Sequence, residues 1–245
     1  MDKLALSGKT ILVTGAARRV GRRLALACAR AGADVVIHYG HSEQDALNVK
    51  NEIASFRGRS WVLQSDLSLA DEVSRLISRA NEFAPLYGLV NSAAIFEPLN
   101  FQDTKLEDWQ KHFDINLTAP FLLSQAFARQ IPENSEGRIV NILDWRALRP
   151  GADHFPYTIS KAALAAMTKS LAVALAPRIT VNGLALGAIL PPADNPSAKE
   201  EIIKRVPAQR WSEAGEVENA LIFLLSGPAY ITGEIIHVDG GRHLV

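Results

Sequence analysis

Residues 10–21 of the chain read TILVTGAARRVG, an apolar run that leads into a glycine-containing turn and then into a helical pattern. The run TILVT is apolar along nearly its whole length, which is typical of a central strand covered on both faces. Gly15 allows close approach of the backbone to a ligand, and a helix that begins after it offers free N–H groups and a positive dipole end. The stretch therefore predicts a strand, a phosphate-binding turn and a helix, in that order.

The same alternation of short β-branched runs with helical patterns continues to the end of the chain. Further strand patterns are DVVIHY (34–39), SWVLQSD (60–66), YGLVNSA (87–93), RIVNIL (138–143), ITVNGLA (179–185) and EIIHVDGG (234–241). Strands that alternate with helices are joined by right-handed crossovers into a parallel sheet with helices on both faces. We therefore predict a doubly wound, Rossmann-type three-layer α/β fold whose mainly parallel sheet has seven strands. Among the intervening patterns, we expect a long segment from about Lys105 to Gln130 and a helix around Ile159 to Leu175.

No charge block, repeat or linker composition divides the series, so we predict one domain over residues 1–245. The stretch AILPPADNPS, which follows Gly187, contains two adjacent prolines that argue against a continuous helix. A substrate loop around residues 187–210 is one interpretation of this stretch, and a plain surface loop is the other.

Composition excludes several classes of function. Lys plus Arg and Asp plus Glu both number 26, so the formal net charge of zero provides no global field for a nucleic acid. Cys28 is the single cysteine and cannot form an intramolecular disulfide, which favours a reducing compartment and a core role for this residue. The N-terminal MDKLALSGK lacks the apolar segment of a secretory signal, and the apolar stretches are too short or too interrupted to span a bilayer. We expect a cytoplasmic protein with no nucleic-acid partner, no membrane partner and no metal site.

Tyr157 and Lys161, in the stretch YTISK, place a phenol and an ammonium four residues apart. On a helix this spacing puts both groups on one face. A phenol ordinarily titrates near ~10, and an adjacent cation stabilises the phenolate, so this pair predicts a general acid. An exposed helix can also produce the pattern by chance.

TGAARRVG and YTISK resemble the TGxxxGxG turn and the YxxxK pair of the short-chain dehydrogenase/reductase superfamily, and Gly15 and Gly21 match the outer glycines of that turn. By position, the resemblance implies a nucleotide site formed by Gly15, Arg18, Arg19, Val20, Gly21, His38, Tyr39, Ser42, Asp66, Leu67, Asn91, Ala93, Tyr157, Lys161, Gly187 and Ile189. Within that set, Asp66-Leu67 corresponds to the adenine contact, and Asn91-Ser92-Ala93-Ala94 matches the superfamily's NNAG in part.

Two features of the sequence, one in the turn and one at the end of the second strand, favour NADP(H) over NAD(H). Arg19 replaces the middle glycine, so a cation would stand beside phosphate. The second strand ends in IHYGHS without the acidic residue that accepts bonds from an unphosphorylated ribose. Arg19 and Ser42 are the predicted phosphate contacts, and Arg18 is a further candidate. The alternative is that Arg18 and Arg19 are solvated charges at the start of a helix.

A carboxylate stands where the superfamily normally has a serine, because Asp144 lies thirteen residues before Tyr157. A hydroxyl orients a carbonyl, whereas a carboxyl group can also carry a proton or bind the edge of an amidine-like ring. Asp144 therefore indicates a nitrogen heterocycle as the substrate. Asn116 matches the asparagine that holds a relay water in the superfamily. The resemblance implies a catalytic set of Asp144, Tyr157, Lys161 and Asn116, and the alternative is a degenerate, inactive member.

Arg19 and Asp144 together resemble the pteridine reductases within the superfamily, as do HYGHS, YITG and VDGG. The resemblance implies an NADPH-dependent reductase of a pterin, a dihydropterin or a dihydrofolate-type heterocycle, assembled as a homotetramer. Phe96 matches a phenylalanine that stacks on the pterin, so Phe96, Asp144 and Tyr157 form the predicted substrate site. Ala94 departs from a serine of that subgroup.

Other functions stay open from the sequence. One alternative is an NADPH-dependent carbonyl reductase, such as a 3-oxoacyl thioester reductase, and another is a weakly catalytic NADPH-binding sensor. The C-terminal Arg242 and His243 are candidates for lining a neighbouring subunit's site.

Overall fold

A parallel sheet of seven strands forms the centre of the computed structural model, which describes residues 4–191 and 196–245. The strands are β1 (Thr10–Val13), β2 (Asp34–Tyr39), β3 (Ser60–Gln64), β4 (Gly88–Asn91), β5 (Gly137–Asp144), β6 (Ile179–Leu186) and β7 (Ile235–Val238). They are arranged in the order β3-β2-β1-β4-β5-β6-β7, and each neighbouring pair is parallel. The Rossmann-type fold and the seven strands predicted from the sequence are confirmed.

The described residues contain eight α-helices, among them those that cover the two faces of this sheet. They are α1 (Arg19–Arg30), α2 (Glu43–Ser55), α3 (Ala70–Asn81), α4 (Leu106–Phe113), α5 (Ala119–Gln130), α6 (Phe155–Leu175), α7 (Pro196–Lys204) and α8 (Glu216–Ser226). One buried apolar cluster contains side chains of α1, α2 and α8, and a second contains side chains of α3 and α5. The apolar strands are therefore covered from both sides, as their composition predicts.

The strand order reverses beside β1, which pairs with β2 on one side and with β4 on the other. In open α/β sheets, ligands bind outside the carboxyl ends of the strands at such a point. The segments that follow β1, β2, β4, β5 and β6 carry most of the predicted site residues. The topology therefore gathers them along one edge of the sheet.

The long segment expected from Lys105 to Gln130 is divided by a π-helical turn at Asp114–Thr118. Such turns widen a helix locally and are frequent at functional sites. The helix expected around Ile159 begins earlier, at Phe155, because Pro156 occupies the first helical turn, where its missing N–H costs nothing. The interrupted segment places Asn116 in the π-helical turn.

The predicted substrate loop of residues 187–210 contains α7, which begins at Pro196 after the two adjacent prolines. Residues 192–195 of this loop lie outside the described residues. Cys28 is fully buried, and burial raises the pKa of its thiol to about 12, in keeping with the expected core role.

Within the described ranges, α6 alone has the length and apolar composition of a membrane span. This helix packs against β5 and β6 and carries Tyr157 and Lys161 in buried positions. It is therefore a core helix of the fold.

Candidate active site

The turn after β1 packs so closely that its two glycines leave no space for side chains. A Cβ atom on Gly15 would lie 2.9 Å from the Cα atom of Ala93, and one on Gly21 would lie 2.1 Å from the Gly15 carbonyl oxygen. Thr14 Oγ1 accepts hydrogen bonds of 3.0 Å from the backbone N–H groups of Ser92 and Ala93. These contacts join the turn and the start of α1 to the loop after β4. Together they form one surface where a phosphate can come close to backbone N–H groups.

Arg19 stands in this turn in the left-handed backbone conformation, with φ at +48°. Glycine adopts that conformation freely, whereas an L-residue is strained in it. The Arg19 guanidinium is exposed, and its one hydrogen bond within the described residues is a 3.5 Å contact from Nη2 to the Leu190 carbonyl oxygen. Arg18 forms an ion pair with Asp45 of α2. The structure thus separates the two arginines, because Arg18 has an acidic partner and Arg19 presents its charge to solvent.

His38, one of the residues expected in the nucleotide site, has both ring nitrogens bonded to backbone groups. Its Nδ1 accepts a 3.1 Å hydrogen bond from the Gly15 N–H, and its Nε2 donates a 3.0 Å hydrogen bond to the Ser65 carbonyl oxygen. Burial lowers the pKa of His38 to about 4, so the ring is neutral at pH 7. The imidazole therefore links the turn at Gly15 to the backbone of Ser65. A pattern of residues along one strand does not reveal such a contact.

The remaining residues of the nucleotide set border the same edge of the sheet. Asp66 Oδ1 accepts hydrogen bonds from the Ser68 N–H and hydroxyl at 2.9 and 2.7 Å, which lower the pKa of Asp66. Ser42 is half-buried immediately before α2, Val20 is half-buried in α1, and Tyr39, Leu67 and Ile189 are buried. Gly187 directly follows β6, and a Cβ atom on it would lie 2.6 Å from Asp239 Cα. A larger residue at position 187 would therefore clash with the backbone of Asp239.

Asn91 belongs to a line of buried polar side chains that crosses from β4 to α6. Its Nδ2 donates to Asn141 Oδ1 at 2.8 Å, and Asn141 Nδ2 donates to Thr168 Oγ1 at 2.9 Å. Asn91 Oδ1 is buried and has no partner among the described residues. This acceptor, the tight turn and the exposed Arg19 cation fit a phosphorylated dinucleotide held along the sheet edge.

Asp144 and Tyr157 meet at the carboxyl end of β5. Tyr157 Oη donates a 3.2 Å hydrogen bond to Asp144 Oδ2, while the Arg146 N–H donates a 2.9 Å hydrogen bond to Asp144 Oδ1. Burial, followed by the Asp144 charge, raises the pKa of Tyr157 well above its ordinary value. The phenol is therefore protonated at neutral pH and can act as a proton donor.

Lys161 does not lower the pKa of Tyr157 as the four-residue spacing predicts. Its Nζ donates a 2.7 Å hydrogen bond to the Ile142 carbonyl oxygen and lies 5.9 Å from the centre of the Tyr157 ring. Burial lowers the pKa of Lys161 to about 8. The spacing correctly places both groups on one helix face, but the ammonium is directed at a strand carbonyl, and burial and Asp144 dominate the environment of the phenol.

Asn116 connects the loop after β4 to α6. Its Oδ1 accepts a 2.9 Å hydrogen bond from the Ile95 N–H, and its Nδ2 donates to Ser160 Oγ at 3.1 Å. Ser160 Oγ in turn donates to the Tyr157 carbonyl oxygen at 2.8 Å. Sequence reasoning missed Ser160, which lies within YTISK but is not part of the YxxxK pattern.

Comparison with known proteins decides the family. The family model described as enoyl-(acyl carrier protein) reductase matches residues 15–243. The chain belongs to the short-chain dehydrogenase/reductase superfamily.

Relatives of this reductase carry more than one activity in their names. It is 36% identical over 97% of its length to a 3-oxoacyl-[acyl-carrier-protein] reductase from Synechocystis, of which it covers 98%. It is 34% identical over 98% of its length to a 2-dehydro-3-deoxy-D-gluconate 5-dehydrogenase from Bacillus subtilis, of which it covers 96%. The crystal structure of FolM alternative dihydrofolate reductase 1 from Brucella canis, complexed with NADP, matches with a TM-score of 0.91 and 34% identity over 100% of this chain and 97% of that one. The chain is an NADP(H)-dependent oxidoreductase.

Phe96 lies beside Tyr157, and about half of its surface is exposed. Its ring contacts the Tyr157 ring edge-on, with centroids 4.6 Å apart. The ring also stacks on His154, with centroids 3.9 Å apart and an angle of 6° between the planes. The sequence predicts Phe96 as a platform for a flat substrate, and the structure adds that the His154 imidazole covers one face of that platform.

Arg146 joins the acidic residues of this region, and sequence reasoning left its role open. The guanidinium approaches Asp144 Oδ1 at 3.5 Å and donates from Nη2 to Asp153 Oδ2 at 2.8 Å. Its hydrogen bond to Asp153 is the main cause that lowers the pKa of that carboxyl to about 2. The stretch LDWRAL (143–148) does not predict the contact between Arg146 and Asp153, because Asp153 lies in the loop that follows it.

Arg242 and His243, proposed candidates for a neighbouring subunit's site, make contacts within their own chain. The Arg242 guanidinium lies 4.7 Å from the centre of the Trp145 ring, and His243 Nδ1 pairs with Asp239 at 2.8 Å. The C-terminal segment therefore packs beside the residue that follows Asp144. In the described residues, no group of three or more His, Cys, Asp or Glu side chains has the arrangement of a metal site.

Proposed function

We propose that this chain is an NADPH-dependent reductase of a pterin, a dihydropterin or a dihydrofolate-type heterocycle. The observation that carries the proposal is the hydrogen bond from Tyr157 to Asp144, with a carboxylate at the end of β5 where the superfamily normally has serine. An acceptor of this kind suits a ring edge that presents N–H groups, whereas a keto group presents only an acceptor to be polarised. The Asp144–Tyr157 pair provides both an acceptor and a donor.

Gly15, Arg19 and Ser42 would hold the phosphorylated end of the cofactor, and Lys161 would bind its nicotinamide ribose. Bound NADPH supplies a hydride, which goes to a ring carbon of a C=N or conjugated C=C bond. The accompanying proton passes from Tyr157 to the ring, directly or through a water held by Asn116. Asp144 accepts hydrogen bonds from the ring's N–H groups, and a proton from solvent, relayed through the Asp144 carboxylate, replaces the one that Tyr157 has given. The ring would thereby gain one hydride from the bound cofactor and one proton from Tyr157.

The printed activities of relatives support two candidates. The Brucella canis structure is named as an alternative dihydrofolate reductase, which supports a pterin-type ring. The Synechocystis relative is named as a 3-oxoacyl-[acyl-carrier-protein] reductase, which supports the second candidate, a 3-oxoacyl thioester reductase. Asp144 favours the first candidate, because a thioester ketone needs no acceptor for a ring N–H. A weakly catalytic NADPH sensor is the third candidate and would bind the cofactor tightly without turnover.

The proposed unit is one domain over residues 1–245 with a substrate loop around residues 187–210, acting in the cytoplasm without nucleic-acid or membrane partners. We also propose a homotetramer. Its support is the outer face of α5 and α6, where Phe121 is 42% exposed, Val173 is 83% exposed and a groove of about 560 Å³ separates the helices. Exposed apolar side chains clustered on long helices are typical of subunit interfaces.

The test is NADPH oxidation by the purified protein with dihydrobiopterin, dihydrofolate and an acetoacetyl thioester, each repeated with NADH. The proposal expects turnover of at least one pterin, with NADPH preferred to NADH. Turnover of the thioester alone would assign the chain to the carbonyl reductases. Submicromolar NADPH binding without turnover of any substrate would favour the sensor.

A further inference from the structure

Four arginines belong to the segments around Trp145, the residue that follows Asp144, in a chain whose net charge is zero. The Trp145 ring is contacted by the guanidinium groups of Arg146 and Arg242, at 4.8 and 4.7 Å from its centre. Arg242 Nη1 also donates a 2.9 Å hydrogen bond to the Arg205 carbonyl oxygen, just after α7. Arg149 lies one turn beyond Trp145, whose carbonyl oxygen accepts its backbone N–H at 3.2 Å. Arg146 and Arg242 thus share one ring, and the backbones of Arg149 and Arg205 lie beside these two residues; we call the four residues the arginine cluster (Arg146, Arg149, Arg205 and Arg242).

The arginine cluster has fewer acidic partners than cations. Arg146 contacts Asp144 and Asp153, so its charge is balanced within the site. No ion pair in the described residues involves Arg149, Arg205 or Arg242, and Arg149 and Arg205 are exposed. Partial burial, followed by Arg205, Arg149 and Arg146, lowers the pKa of Arg242, which indicates that these cations act on one another. Such mutual repulsion favours binding of an anion that all of them can share.

We propose that Arg149, Arg205 and Arg242 bind an anionic substituent of the substrate, at the end remote from the group being reduced. Arg146, the first member of the cluster, lies two residues after Asp144, and Trp145 stands between them. A substrate seated against Asp144 and Phe96 would extend its other end past Arg146 toward these three cations. With the proposed function, on which the assignment rests, the anion is a carboxylate carried on a tail of the pterin. In the 3-oxoacyl thioester alternative it is a phosphate of the thiol carrier.

Charge-assisted contacts of this kind act mainly on substrate binding and leave the chemical step unchanged. Replacing Arg149 and Arg242 together by Gln is expected to raise the KM for dihydrofolate, whose tail carries carboxylates, by about tenfold, with kcat unchanged. The KM for dihydrobiopterin, whose side chain is uncharged, is expected to change less than about twofold. The KM for dihydrofolate should also rise with salt in the unmodified protein but not in the double variant.

The experiment is steady-state kinetics of both pterins with the unmodified protein, with Arg149→Gln/Arg242→Gln and with Arg149→Lys/Arg242→Lys. The lysine variant keeps the charges and should recover most of the affinity for dihydrofolate. Arg75→Gln, on exposed α3 surface, is the matched control for loss of one arginine. NADPH binding measured by fluorescence shows that each variant is folded.

The results separate this inference from the proposed function. Equal changes in KM for the two pterins, or no change for either, would overturn the anion site while leaving the pterin reductase in place. Reduction of a thioester but of no pterin would overturn the proposed function. In that event, acetoacetyl coenzyme A and the uncharged acetoacetyl N-acetylcysteamine replace the two pterins. A KM increase in the glutamine variant that is confined to the coenzyme A substrate supports the anion site with phosphate as its source, and equal changes in KM for the two thioesters overturn it.

Discussion

The cofactor turn and the catalytic end of β5 each carry one charged residue where the superfamily normally has a small one, and the two residues are held in opposite ways. Arg19 has a single 3.5 Å contact with a carbonyl oxygen and is exposed. Asp144 accepts hydrogen bonds from Tyr157 and Arg146, and its side chain is 16% exposed. An isolated cation can bind an external anion, whereas a bonded carboxylate acts on the proton of its neighbour. We therefore expect cofactor choice and proton delivery to depend on different regions, so that each can be changed independently.

The largest expected effect comes from removing the proton donor. Tyr157→Phe deletes the hydroxyl that donates to Asp144, and kcat for a pterin is expected to fall by about 10²- to 10⁴-fold. NADPH binding, measured by fluorescence, should stay within about threefold of the unmodified protein because the cofactor turn is untouched. Tyr230→Phe, at a fully exposed position, is the matched control. A Tyr157→Phe protein with undiminished kcat would assign proton delivery to Asp144 alone.

The support beneath the turn should appear as acid sensitivity. Burial lowers the pKa of His38 from its ordinary value of 6.5 to about 4 in the folded protein. Between these two pH values, the imidazole is therefore protonated in the unfolded chain and neutral in the folded one. Its contribution to stability is present above pH 6.5 and falls on the order of 3 kcal/mol by pH 4. Urea unfolding of His38→Gln across this range should show a shallower decline than that of His41→Gln, whose position is exposed. An NMR titration that finds the His38 ring charged at pH 6 would contradict the buried, neutral imidazole.

The charge on Asp144 should be visible in the pH profile. Asp144→Asn keeps the shape of the side chain and removes a charge that raises the pKa of Tyr157. The pKa of the phenol then falls, so the alkaline limb of kcat, where the donor loses its proton, moves to lower pH. At pH 7, pterin turnover is expected to drop by about 10- to 100-fold. Asp71→Asn, on exposed α3 surface, should leave the profile in place, and an unmoved limb in Asp144→Asn would remove Asp144 from the proton path.

The smallest expected effect tests the isolated cation of the turn. Arg19→Gly should raise the KM for NADPH by about tenfold and leave the KM for NADH unchanged, since only NADPH carries the additional phosphate. The same change relieves the left-handed φ of +48° and is expected to keep or raise the free energy of unfolding, by up to about 1 kcal/mol. Arg18→Gln is the matched control, because Arg18 already has Asp45 as a partner. Equal increases in KM for NADPH and NADH would show that Arg19 does not contact the additional phosphate of NADPH.

The fold could be predicted from the sequence because the signals are local. TILVT, DVVIHY and ITVNGLA each report a buried strand through their own composition, and alternation with helices restricts the topology to a parallel sheet. The π-helical turn around Asn116 was not predictable in the same way, since its residues have ordinary helical composition. Its anchor is the hydrogen bonding to Ile95, which lies 21 residues away along the chain.

The site could be predicted only as far as its residues follow a spacing. Gly15, Gly21, Tyr157 and Lys161 lie where their motifs place them, at the carboxyl edge of the sheet. The direction of a side chain depends on neighbours from elsewhere. His38 is turned under the backbone by Ser65, and Lys161 is turned toward Ile142, so neither the buried imidazole nor the raised pKa of Tyr157 follows from sequence.

The measurement that tests the central claim most directly is the substrate preference of Asp144→Ser, which restores the residue type usual in the superfamily. The ratio of kcat/KM for dihydrobiopterin to kcat/KM for an acetoacetyl thioester is determined with NADPH for the unmodified protein and for the variant. If Asp144 selects a nitrogen heterocycle, the ratio falls by at least about tenfold in the variant while NADPH affinity is kept. An unchanged ratio, or a pterin kcat/KM that rises when the carboxylate is removed, would contradict that role.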